Sequence, residues 1–129
     1  MSGRILLVED NPANQLLASA VLQRDGFDVA VAESAHDAQR EILLHKPDLI
    51  LMDIQLPEMD GLSFTRQLKA DPATASITVV AMTAHAMVGD KEEAIAAGCA
   101  GYISKPIDTR TLGDQVRSFL QAETAGAGT

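Results

Sequence analysis

A chain of 129 residues with a formal charge of −8 and 47% hydrophobic residues can form one core, but it lacks the basic face that a nucleic-acid ligand requires. It has no polybasic stretch for an anionic membrane, no run of membrane-spanning length, and only four successive apolar residues (Ile5–Val8) before the first acids. The lone Cys99 excludes an internal disulfide and a cysteine pair as metal ligands, so a reducing, cytoplasmic setting is expected.

The elements alternate along the chain. Residues 4–8 read as a strand. Asn11-Pro12 then opens a helix carrying Leu16, Leu17, Ala20 and Val21, with Gly26 just past its end. Phe27 to Ala32 alternates as a short strand, and Ser34 caps a helix through His45 with apolar Ala35, Ala38, Ile42 and Leu43. Asp48 to Asp53 is a near-continuous apolar run, as expected of a parallel strand buried on both faces. A helix over Gly61–Ala70 ends at Asp71-Pro72, and Ile77–Met82 is another buried strand. The next helix lies between Met87 and Ala97, ahead of Gly98, followed by a strand at Ala100–Ser104. The last helix starts at Asp108 or Thr109 and runs to about Gln121. Residues 1–121 thus make one domain, and the small, polar residues 122–129 are expected to be a flexible tail.

Strict alternation of strands and helices implies a parallel sheet covered on both faces. Right-handed crossovers favour a flavodoxin-like, doubly wound (βα)5 fold with strand order 2-1-3-4-5. That order makes neighbours of the strands ending in Glu9-Asp10, Asp53, Met82-Thr83 and Ser104-Lys105, so these side chains converge on one crevice.

Three carboxylates in one crevice repel one another unless a cation joins them. Mg²⁺ suits such a set, because it binds through one or two carboxylates, keeps several waters and takes phosphate oxygens; Mn²⁺ could substitute. Asp10 and Asp53 could ligate directly, with Glu9 acting through water. The Lys105 ammonium and Thr83 hydroxyl suit a phosphoryl group. A carboxylate can attack phosphorus, and the transfer needs little beyond positioning and charge neutralisation. The implied reaction is phosphoryl transfer onto Asp53.

Four segments carry a resemblance: Val8-Glu9-Asp10-Asn11, Leu51-Met52-Asp53 through Pro57 to Asp60-Gly61, Ala81-Met82-Thr83-Ala84, and Gly101-Tyr102-Ile103-Ser104-Lys105-Pro106. Over residues 4–121 the chain resembles the receiver domains of bacterial response regulators. Its wording is similar to stand-alone cell-division regulators and to receivers of hybrid sensor kinases. The resemblance implies that Asp53 accepts phosphate from a histidine kinase or histidine phosphotransfer protein. It implies Mg²⁺ ligation by Glu9, Asp10, Asp53 and the Gln55 backbone carbonyl, a cis Lys105–Pro106 bond, and Thr83 with Tyr102 as the switch pair. Gln55 and His85, each two residues past a site residue, would tune the phosphate lifetime. Glu9 stands where the family more often has Asp.

The resemblance also implies two docking faces. Asn11, Pro12, Asn14, Gln15 and Leu16, with Pro106 and Ile107, would meet the phosphodonor. Helix 4, strand 5 and helix 5, around Ala86, Met87, Val88, Tyr102 and Ile103, would meet a downstream protein. A monomer or weak dimer with no output domain is expected, acting through protein–protein contacts or as a relay, and turning over nothing beyond its own acyl phosphate. A haloacid dehalogenase-type phosphatase would carry a second Asp at the Gln55 position. A flavodoxin would need a Ser/Thr/Gly-rich loop in place of Glu9-Asp10-Asn11-Pro12, and aromatics for the flavin; Trp is absent and Tyr102 is the single Tyr. Surface positions suit His36 and His45, and Cys99 suits an inert core position.

Overall fold

The structure is a computed structural model that describes residues 3–56, 59–83, 89–105 and 107–127, the last seven by backbone alone. Five strands, β1 (Arg4–Val8), β2 (Asp28–Ala32), β3 (Leu49–Asp53), β4 (Thr78–Thr83) and β5 (Gly101–Ser104), alternate with α1 (Pro12–Arg24), α2 (Ala35–Leu44), α3 (Gly61–Ala70), α4 (Asp90–Ala97) and α5 (Leu112–Ala127). All strand pairs are parallel, in the expected order β2-β1-β3-β4-β5. The register sets Val8 beside Met52, Asp53 beside Met82 and Thr83 beside Ser104. The strand ends bearing acids, threonine and lysine are therefore adjacent.

The apolar runs are continuous because both faces of the sheet are covered. Leu6, Val8, Ile50, Met52, Val79 and Ala81 pack with Ala38 and Ile42 of α2, Phe64 and Leu68 of α3, and Ala94 and Ala97 of α4. Their neighbours Ile5, Leu7, Leu49, Leu51, Val80 and Met82 face the other way, onto Ala18, Val21 and Leu22 of α1 and Leu112 and Val116 of α5. The period-two alternation of side chains divides each strand between two aliphatic layers.

Helix ends follow local chemistry. The Asn11 side chain accepts from the amides of Ala13 and Asn14, and Pro12 opens α1 where its missing N–H costs no helical bond. Ser34 caps α2 by accepting from the Asp37 amide, and Gly98, at φ 112°, ends α4 in the left-handed region.

Of the apolar residues that mark α1, Val21 is buried, with Ala18 and Leu22, whereas Leu17 is 40% exposed, Ala20 is exposed, and Leu16, at 74%, is exposed as its expected place on a docking face requires. At 100° per residue Leu16 lies some 200° from Ala18, on the far side of that stripe. For the same reason Leu43, one residue past Ile42, is 87% exposed. Helix α5 begins at Leu112, because Asp108 Oδ1 first accepts from the Arg110 amide in a local turn. It then continues through Ala127, into the expected tail, where Ala and Glu are good helix formers. His85, Ala86, Met87, Val88 and the Lys105–Pro106 bond lie outside the described residues. Among the described residues no helix is long and apolar enough to cross a membrane.

Candidate functional site

The chain diverges at the C-terminal ends of β1 and β3, since β1 leads outward to β2 while β3 leads the other way to β4. A crevice opens at such a switch point. Asp53 ends β3 and is 3% exposed; Glu9, following β1, is 1% exposed and Asp10 is exposed. One carboxylate oxygen from each of Glu9, Asp10 and Asp53 lies within 4.8 Å of the others. Oxygens on an octahedral Mg²⁺, each 2.0–2.1 Å from the ion, stand about 2.9–4.2 Å apart, so these three need only a small contraction to share one. The all-oxygen, all-anionic donor set also fits a hard divalent cation.

Lys105 closes the crevice from β5. Its Nζ donates to Glu9 Oε1 at 2.6 Å and to Asp53 Oδ2 at 3.2 Å, with the side chain only 13% exposed. Burial pulls the ammonium pKa down, but the Glu9 hydrogen bond and the charges of Asp53 and Glu9 more than offset this, so the pKa is raised. The remaining oxygens are engaged by backbone: Asp53 Oδ1 accepts from the Gln55 amide at 2.9 Å and Glu9 Oε2 from the Asn11 amide at 3.1 Å. Thr83 is 1% exposed at the end of β4, and its carbonyl accepts from the Lys105 amide at 2.7 Å. The structure thus brings together Glu9, Asp10, Asp53, Thr83 and Lys105.

Tyr102 packs against the α2/α3/α4 layer, and its buried hydroxyl finds no hydrogen-bond partner among the described residues. Burial first, and the nearby charge of Asp90 second, raise its pKa. Cys99 is 5% exposed in the same layer; burial raises its thiol pKa, partly countered by a Thr65 hydrogen bond and the Lys69 charge. That places it in the core, as expected.

Two residues support the site in ways not expected from the sequence, Gln15 having been placed only on the docking face. Gln15 Nε2 donates to the Glu9 carbonyl at 2.6 Å, pinning the acidic turn to α1. Nothing in a lone glutamine on a helix signals this. Gly61 N donates to the Ile54 carbonyl at 3.1 Å, and a Cβ at Gly61 would stand 2.4 Å from the Asp53 carbonyl oxygen and 2.7 Å from Ile54 Cα. Here a signal existed, because glycine in a first helical turn is a poor helix former and hints at close backbone approach.

The model of the response regulator receiver domain matches residues 5–117. The chain belongs to the response-regulator receiver family. This receiver is 41% identical over 120 residues to the polar-differentiation response regulator DivK of Brucella ovis, covering 93% of this chain and 98% of that one. The receiver domain of sensor histidine kinase PA1611 of Pseudomonas aeruginosa PAO1 superimposes with a TM-score of 0.83 at 35% identity, covering 94% and 99% of the two chains. That structure holds a magnesium ion coordinated in its active-site cleft. A CheY-like receiver domain protein of Methanospirillum hungatei JF-1 gives a TM-score of 0.87 at 25% identity over 98% of this chain and 99% of that one. As in DivK, the receiver occupies nearly the whole length of the chain.

Proposed function

We propose that this receiver takes a phosphoryl group onto Asp53 from a phosphohistidine of a kinase or phosphotransfer protein, and that phosphorylation switches its binding to a downstream protein. The observation that carries this reading is the buried Asp53 carboxylate at a strand end, within 3.2 Å of Lys105 Nζ and grouped with two further acids. A carboxylate oxygen of Asp53 attacks phosphorus, the P–N bond to the donor imidazole breaks, and the histidine leaves with that bond's electron pair. Glu9, Asp10, Asp53 and the Gln55 backbone carbonyl would hold Mg²⁺, which when bound neutralises the carboxylates and accepts phosphoryl oxygens. Lys105 then follows the charge from carboxylate to phosphoryl oxygen, and the Thr83 hydroxyl donates to another.

The acyl phosphate carries about −2 where the carboxylate carried −1, and the added charge and phosphoryl oxygens draw on Thr83 and Lys105 and bias the position of Tyr102. The chain performs only its own phosphorylation and dephosphorylation, with Gln55 beside the incoming water. Partners dock on α1, where Leu16 is 74% exposed, and on the α4-β5-α5 face.

Intact mass after incubation with Mg²⁺ and acetyl phosphate tests this. One added phosphoryl group, lost in Asp53→Asn and without Mg²⁺, is the expected result. No adduct, together with no Mg²⁺-dependent beryllofluoride binding, would overturn it.

A further inference from the structure

Strand β2 is an edge of the sheet, and α2 lies beside it. The Asp28 amide donates to Gly3 O and the Ala32 carbonyl accepts from the Glu9 amide, so residues 28 and 32 turn their backbone groups toward β1. In a parallel strand the alternate residues point theirs the other way, which aims the N–H and C=O of Val29 and Val31 outward along the free edge. Edge strands are commonly blunted by lysine, proline or a bulge, and Asp28-Val29-Ala30-Val31-Ala32 carries no lysine or proline.

Two cavities share Glu41: one of about 250 Å³ reaches from β2 and α2 to Arg4, Ile5 and Leu6 of β1, and one of about 370 Å³ lies between β2 and α2. Val31, 38% exposed, and Leu44, 68% exposed, line the larger one, and Leu43 is 87% exposed next to Leu44. The carboxylates of Glu33, Asp37 and Glu41 line it too, and among the described residues none of them has an ion pair; Arg40 is the single cation of that lining. An apolar strip bordered by uncompensated acids, beside outward-facing backbone groups, fits one kind of occupant.

We infer that the β2 edge and α2 form a docking groove for an extended segment of a partner protein in which lysine or arginine alternates with apolar residues. The segment adds a strand to β2, its backbone pairing with Val29 and Val31. Its cations face α2, where their stems cross Leu44 and their charges reach Glu33, Asp37 and Glu41, and its apolar side chains lie on the opposite face beside Val31. A second copy of this chain fits poorly, because a chain of net charge −8 would bring the same acids against each other.

The test is an amide NMR titration of the full chain with a capped peptide of about ten residues alternating valine and lysine, beside a valine–glutamate peptide. Shifts confined to β2 and α2, weakened by salt and absent with the glutamate peptide, are expected. Leu44→Lys, at an exposed position, and Val31→Pro, which removes an outward N–H, should each weaken binding about tenfold, with folding checked by thermal unfolding. Shifts elsewhere, no shifts, equal binding of both peptides, or unchanged affinity in both folded variants would overturn the proposal. So would concentration-dependent dimerisation lost in Leu44→Lys, which would make a second copy the occupant.

Discussion

Lys105 is the cation that lets two carboxylates stay buried. Glu9 and Asp53 are 1% and 3% exposed, and Lys105 donates to both. Lys105→Met leaves them facing each other unpaired, with an expected loss of about 1–3 kcal/mol of stability in urea unfolding. Added Mg²⁺ should restore more stability to the variant than to the wild type, and equal gains would argue against a shared cation site. The pH dependence has a definite sign. Because the lysine pKa is raised on folding, its contribution is fully present below the unfolded value of about 10.4 and is lost as pH rises through the folded one. The gap between wild type and Lys105→Met should therefore be flat from neutral pH to about 9 and close only at higher pH.

At the level of elements, the site depends on how closely α3 and α1 approach the strand ends. Gly61 admits the start of α3 against the Asp53–Ile54 backbone. Gly61→Ala would normally stabilise a helix by about 0.5–1 kcal/mol, but here the new methyl meets backbone rather than a movable side chain. A net loss of about 1–3 kcal/mol is expected, with displaced amide resonances at Asp53, Ile54 and Gln55. A variant as stable as wild type, with those resonances unmoved, would show that the approach is looser. The opposite end of α1 is held as firmly: Arg24 Nη2 donates to the Thr109 carbonyl at 2.7 Å, and Arg117 donates to the Asp25 carbonyl at 3.1 Å while lying 5.4 Å over the Phe27 ring. With Gln15 on the Glu9 carbonyl, α1 is tied to the acidic turn at one end and to α5 at the other.

For the whole molecule, the question is whether a charge placed at Asp53 is felt at β5. Tyr102 is the single tyrosine in a chain without tryptophan, so its intrinsic fluorescence reports one position. Its buried hydroxyl has no hydrogen-bond partner among the described residues, and an arrangement that gives it one would gain about 1–3 kcal/mol. On the proposed function, beryllofluoride with Mg²⁺ should change tyrosine emission in wild type and leave Asp53→Asn unchanged. Equal, flat emission in both would separate Tyr102 from the switch.

Strand and helix identities were readable because each depends on local pattern. The doubly buried run Leu49-Ile50-Leu51-Met52, the Asn11-Pro12 helix start and Gly98 after α4 carry their structural meaning within a few residues. The crevice was readable because in a parallel sheet every strand delivers its C-terminal residue to the same edge, so Glu9, Asp53, Thr83 and Lys105 had to meet once the strand order was known. Other features needed the tertiary structure. Which leucines of α1 and α2 are buried depends on how each helix is rotated against the sheet, and Leu16 and Leu43 fell outside the buried stripes. The bonds from Lys105 to Glu9, from Gln15 to the Glu9 carbonyl, and the close approach of Gly61 to Asp53 are set by distances between segments far apart or turned back on themselves. Composition and periodicity carry no information about such distances; the packing of two aliphatic layers against one twisted sheet decides them.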